Sequence, residues 1–138
     1  MPDKHLNFSV NDGQFRFKAK LLGTNRDLVA ALERTFPLTT LTTHVVISGE
    51  TIGMPTKILY LDQLDPVQRV IGSVYFYAPT CGINICYGEI TESARVNQFA
   101  QIRGEDMPTV KEVGKLVWRN TVLNPVREPV VVEISIGE

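Results

Sequence analysis

Leu6, Phe8 and Val10 alternate with Asn7 and Ser9, and past Asn11-Asp12-Gly13 the alternation resumes as Phe15, Phe17, Ala19 and Leu21 against Arg16, Lys18 and Lys20. A period of two on either side of a turn of this composition predicts an antiparallel hairpin. With Asp12 and Gly13 as the central residues of a type I′ turn, Val10 stands opposite Phe15, Phe8 opposite Phe17 and Leu6 opposite Ala19, all on one face. The period then changes. Leu28, Leu32 and Phe36 recur at every fourth residue, behind the capping candidates Thr24 and Asn25 and ahead of Pro37, which predicts a short helix.

Strand patterns return over 38–60, with the β-branched run 42–47, a break at Ser48-Gly49-Glu50 and an extended piece after Pro55. Gly72 opens the aromatic stretch Ser73-Val74-Tyr75-Phe76-Tyr77, and the loop Ala78-Pro79-Thr80-Cys81-Gly82 returns the chain into Ile83-Asn84-Ile85-Cys86-Tyr87. One face of this second hairpin is expected to carry Tyr75, Tyr77, Ile83, Ile85 and Tyr87. A strand over 97–102, a helix that starts at Pro108 with Val110, Val113 and Val117 on one stripe, and a strand over 130–136 complete the order. Successive strands without alternating helices predict a mainly β chain: a closed antiparallel barrel, one domain over 1–138, with two short helices capping its ends.

Composition narrows the function. Fourteen basic against fifteen acidic residues leave a net charge of -1, with no block of like charge, so no nucleic-acid partner is expected. Two cysteines, Cys81 and Cys86, make neither a disulfide framework nor a structural metal site, and they read as thiols. No metal or other cofactor is called for. Neither a signal segment nor an apolar run near the roughly 20 residues of a membrane span is seen, so the expectation is a cytoplasmic protein without a membrane partner.

Candidate chemistry is sparse. His44 is one of two histidines, and Glu50 lies six residues on, past a glycine that can turn the chain back, so the pair is a candidate general base with its orienting carboxylate. A structural histidine at a strand end fits the same pattern. Glu50, Glu89 and Glu92 each follow a strand, where loops meet at a barrel rim. Cys81, in a loop, is the more reactive thiol candidate, with His44 as its base, whereas Cys86 reads as a small core residue. Tyr75, Tyr77, Tyr87 and Trp118 suit a pocket wall, a plain barrel face or a subunit contact. Arg95 and Asn97 offer anion or amide contacts.

Two stretches, Thr43-His44-Val45-Val46-Ile47-Ser48-Gly49-Glu50 with Met54-Pro55, and Gly72-Ser73-Val74-Tyr75-Phe76-Tyr77-Ala78-Pro79 with Asn84-Ile85-Cys86-Tyr87-Gly88, resemble a group of bacterial cyclophilin-like proteins of unknown function. The resemblance covers most of the chain and extends to the helix carrying Gly114 to Trp118. It implies a closed eight-stranded barrel with a helix at each end. The prolyl isomerase activity of true cyclophilins is not implied, because Val45 stands where their strand carries an arginine that polarises the amide.

Together these readings favour a protein that binds, and as an enzyme would transform, a small polar metabolite. His44 and Glu50 are the catalytic candidates, and Tyr77, Tyr87, Cys81 and Arg95 the ligand contacts. Hydrolysis or lyase chemistry on an amide or carboxylate is the enzymatic version. The rival is a noncatalytic interaction protein whose tyrosine-rich strand face makes a homo-oligomer.

Overall fold

The first hairpin forms in the expected register. In the computed structural model, which describes residues 4–46, 48–63, 65–92 and 94–137, β1 (His5–Val10) pairs with β2 (Phe15–Leu21) through Val10 with Phe15, Phe8 with Phe17 and Leu6 with Ala19. Asp12 and Gly13 both take positive φ, 57° and 88°, as a type I′ turn requires. The rings of Phe8 and Phe17 stack at 4.7 Å, which adds about 1 kcal/mol to the burial of their area.

The remaining strands are β3 (Leu38–Val45), β4 (Gly49–Pro55), the two-residue β5 (Val67–Gln68), β6 (Ser73–Tyr77), β7 (Gly82–Ile90), β8 (Arg95–Ile102) and β9 (Val130–Gly137). Their order around the sheet is β2-β1-β9-β3-β4-β7-β6-β8, and pairing of β2 with β8 closes an eight-stranded antiparallel barrel; β5 lies on the outer edge of β8. Ile47, the last residue of the expected 42–47 run, lies outside the described residues.

Both helices cap the barrel, at opposite ends. α1 (Arg26–Glu33) follows the end of β2 and α2 (Met107–Trp118) the end of β8, and these two strands are antiparallel neighbours. Leu28 and Leu32 of α1 join Val110, Val113 and Val117 of α2 in one core with inward residues of every barrel strand except β3. α1 is shorter than the Leu28-Leu32-Phe36 spacing predicts, ending before Phe36. Its capping candidates serve another purpose: the Thr24 hydroxyl and the Asn25 amide both donate to the Gln98 carbonyl, tying the helix entry to β8. α2 is longer than expected, since its last turn widens into a π-helical segment over Arg119–Leu123.

The second hairpin corrects the sequence reading. β6 and β7 are joined by four residues, so Tyr77 pairs with Gly82, Phe76 with Ile83, Tyr75 with Asn84 and Val74 with Ile85. An even loop puts residues of opposite parity across from each other. The inward face is therefore Val74, Phe76, Ile83, Ile85 and Tyr87, whereas Tyr75 and Tyr77 turn outward. Tyr75 is nonetheless buried, in a small outer cluster with Cys86 and Val96, and is not available as an exposed contact surface.

An eight-stranded barrel is just wide enough for its own side chains. Phe8, Phe17, Ile83, Ile85, Phe99 and Ile134 fill this one, so ligand space belongs at an end or outside.

Candidate functional site

At the α2 end of the barrel a cavity of about 510 Å³ is lined by His44 and Val46 from β3 and its exit, Gly49 and Glu50 from β4, Tyr87 from β7, and Lys115, Trp118, Arg119 and Leu123 from α2 and its extension. His44 Nε2 lies 2.6 Å from the Tyr87 hydroxyl. The imidazole meets Trp118 edge-on at 4.8 Å and Tyr87 at 5.6 Å. One histidine is thus held between two aromatic rings, with a hydrogen bond fixing its tilt.

A β-bulge aims these groups. Gly49 pairs with Ile90 and Thr51 with Cys86, so on β4 Glu50 alone opposes Tyr87-Gly88-Glu89 of β7. A bulge of this kind bends the strand and re-aims its side chains. Glu50 then folds back across the partner strand, and its Oε1 accepts the Glu89 backbone N–H at 2.8 Å. Room for it comes from Gly88, where a Cβ would stand 2.5 Å from that same oxygen. The helix side shows a matching feature: a Cβ at Gly114 would come within 2.5 Å of the Tyr87 ring. Gly114 lets α2 lie directly on the tyrosine that lines the cavity.

Burial lowers the pKa of His44 below its ordinary 6.5, against the opposing pull of the Glu50 carboxylate. Burial, then Glu50, pushes the Tyr87 phenol up to about 12. Near neutral pH both groups are therefore uncharged. With the ring proton on Nδ1, Nε2 accepts from the tyrosine hydroxyl; Nδ1 is buried and has no hydrogen-bond partner among the described residues. The arrangement joins a neutral His–Tyr pair able to pass a proton, a carboxylate beside it, two cations on the helix and apolar walls from Val46, Trp118 and Leu123.

The structure brings together His44, Glu50, Tyr87 and Trp118 of the residues singled out from sequence. It does not bring Tyr77, Cys81 or Arg95 to them. Tyr77 and Arg95 line a separate cavity on the outside of the barrel, with Glu92 and Asn97. Cys81 precedes β7 at the strand end opposite Tyr87, six residues and about 20 Å away along the strand. Cys86 is fully buried in the outer cluster, where the Thr51 hydroxyl donates to its sulfur at 3.7 Å. Glu89 is exposed. Sequence reasoning missed Lys115, Arg119 and Leu123. Their signal was a second stripe on α2, Lys115, Trp118 and Arg119 at helical spacing, beside the valine stripe that enters the core.

A closed eight-stranded barrel with a polar and aromatic cavity under its second helix is the class that fold and site define. Solved structures that share the architecture include two that overlap nearly all of this chain. McbB in complex with tryptophan superposes with a TM-score of 0.82 at 17% identity, over 94% of this chain and 44% of McbB. The hypothetical protein AF2241 from Archaeoglobus fulgidus superposes with a TM-score of 0.62 at 16% identity, over 96% of this chain and 94% of that one. The chain thus spans less than half the length of McbB. No protein-family model matches the sequence, and no curated protein matches it either. Among the described residues no helix is long and apolar enough to cross a membrane.

Proposed function

We propose that this protein binds a small polar metabolite with a planar apolar part in the cavity beneath α2, and that His44 and Glu50 give the site acid–base capacity. The observation that carries this reading is the clamped imidazole: His44 bonded to Tyr87 and packed on Trp118, at the wall of a cavity of about 510 Å³. That volume lies within the range of small-molecule sites. Trp118 and Leu123 suit the flat part of the ligand, and Lys115 and Arg119 suit a carboxylate. His44, neutral near pH 7, accepts a proton from the bound molecule or from Tyr87, and Glu50 steadies the cation so formed. In this reading the chain is a divergent cyclophilin-like barrel, whose Gly49-Glu50 and Tyr87-Gly88 pairs serve the bulge described above. Prolyl isomerisation is not part of it, because Val45 supplies no cation to a twisted amide.

Ligand-dependent thermal stability tests the proposal, with aromatic amino acids and aromatic 2-oxo acids as probes. Tryptophan comes first, because McbB is a tryptophan complex. A ligand at about a hundred times its Kd stabilises the fold by about 2.7 kcal/mol and raises Tm by several degrees. The expected result is such a rise in the wild type and none in the His44→Ala/Glu50→Ala double variant with its circular dichroism unchanged. An undiminished rise in the double variant rejects the site.

A further inference from the structure

A second cavity, of about 320 Å³, lies against the outer faces of β6, β7 and β8 and shares no lining residue with the first. Pairing of β5 with β8 lays residues 67 and 68 along this face, and Arg69 follows directly. Arg69 is only 4% exposed. Its Nη1 donates to the Tyr75 hydroxyl at 3.3 Å and its Nη2 to the Glu92 carbonyl, while Nε is buried with no hydrogen-bond partner among the described residues. Among the described residues no carboxylate forms an ion pair with it. Asn97, 3% exposed, lines the same cavity; its amide donates to the Asp62 carbonyl at 2.7 Å, and its Oδ1 is buried without a partner among the described residues.

A neutral donor would bond Tyr75 and Glu92 equally well, without the desolvation penalty of a buried charge that no carboxylate offsets. Arg69 and Asn97 both line the cavity, where a small side-chain shift uncovers a cationic N–H donor and a separate acceptor. Two lining residues are basic, Arg69 and Arg95, and one is acidic, Glu92, a net lining charge of +1. That balance complements a monoanion better than a dianion. One side of the mouth is apolar, with the exposed ring of Tyr77 beside Pro79, while Gln63, Glu92 and Arg95 are the exposed polar residues of the lining.

We infer that this outer cavity is a second binding site, for a monocarboxylate that carries a hydroxyl or amino group next to its acid and an apolar body. The carboxylate sits on Arg69, the neighbouring donor on Asn97 Oδ1, and the body against Tyr77.

The test is a titration of the full chain with mandelate, with phenylacetate, which lacks only the hydroxyl, and with inorganic phosphate, following the arginine Nε–H resonances. The expected result is a saturable shift of the Arg69 resonance with mandelate, a weaker response to phenylacetate and none to phosphate. Arg69→Met weakens mandelate binding by on the order of thirtyfold or more, as removal of one partner of a buried charge pair does, and leaves the ligand-free Tm unchanged or higher. Asn97→Leu erases the preference for mandelate over phenylacetate. The His44→Ala/Glu50→Ala variant keeps the whole response, which separates this site from the cavity beneath α2. Should Arg69→Met not fold, Arg69→Lys identifies the resonance and the wild-type titration decides. No saturable Arg69 shift with either carboxylate, an equal response to phosphate, or a lower ligand-free Tm in Arg69→Met with its carboxylate affinity unchanged overturns the inference.

Discussion

His44 is pulled two ways, since burial removes water from the imidazolium while Glu50 attracts it, and burial prevails. The ring then takes up its proton at lower pH in the folded chain than in the unfolded one. Between the folded pKa and 6.5 the unfolded state binds more protons, so stability rises with pH across that window. The contribution is complete above 6.5 and is lost as pH falls through the folded value. Thermal melts between about pH 7.5 and 5 are expected to show a steeper acid loss of Tm for the wild type than for His44→Gln. Equal slopes would show that the ring is not held neutral by its surroundings. Tyr87 titrates far above this range, so the same melts report on His44 without interference from it.

Among the elements, the contact of α2 with the barrel is the one on which the site depends. Gly114 costs α2 about 1 kcal/mol in helix propensity relative to alanine, and in exchange its backbone lies against the Tyr87 ring. In Gly114→Ala the new methyl meets that ring at 2.5 Å, and overpacking of this kind costs about 1–3 kcal/mol. The expected net effect is a lower Tm together with weaker ligand response beneath α2, both read by thermal shift. A higher Tm from the propensity gain alone would show that the helix has room to move away. The β4–β7 bulge belongs to the same scale, because it places Glu50, Tyr87 and Gly88 within one another's reach though they come from strands far apart in sequence.

Closure decides the behaviour of the whole molecule. The seam between β2 and β8 has three residue pairs, against six between β1 and β2. Asp106, just ahead of α2, reinforces it: Oδ2 accepts the Lys18 backbone N–H at 2.9 Å and two guanidinium N–H groups of Arg103, at 2.9 and 2.8 Å. The Arg103 N–H in turn donates to the Lys18 carbonyl. One carboxylate thus ties the seam to the start of the capping helix. Asp106→Ala is expected to lower stability by about 2 kcal/mol and to speed amide exchange over 18–21 and 100–103 ahead of the β1–β9 pairs. Uniform acceleration around the barrel would place the weak point elsewhere.

Local periodicity carried the first hairpin, the valine stripe of α2, the order of strands and the barrel itself, because side-chain alternation and turn chemistry act over a few neighbouring residues. That His44, Glu50 and Tyr87 lie at one end of the barrel was legible as strand-end chemistry; their hydrogen bonds were not, since His44 Nε2 bonds Tyr87 and Glu50 bonds the Glu89 backbone instead of the imidazole. Which face Tyr75 takes was not, since it turns on whether the β6–β7 loop has an odd or even number of residues. Equally hidden were the length of α2 past Trp118 and the burial of Arg69, because each depends on what a distant segment lays over it. Sequence by itself determined the ribbons and, in the first hairpin, their apolar side. The tertiary structure alone decided which polar groups were sealed from water and left facing one another, since desolvation is a property of the assembled surfaces and not of any residue's neighbours along the chain.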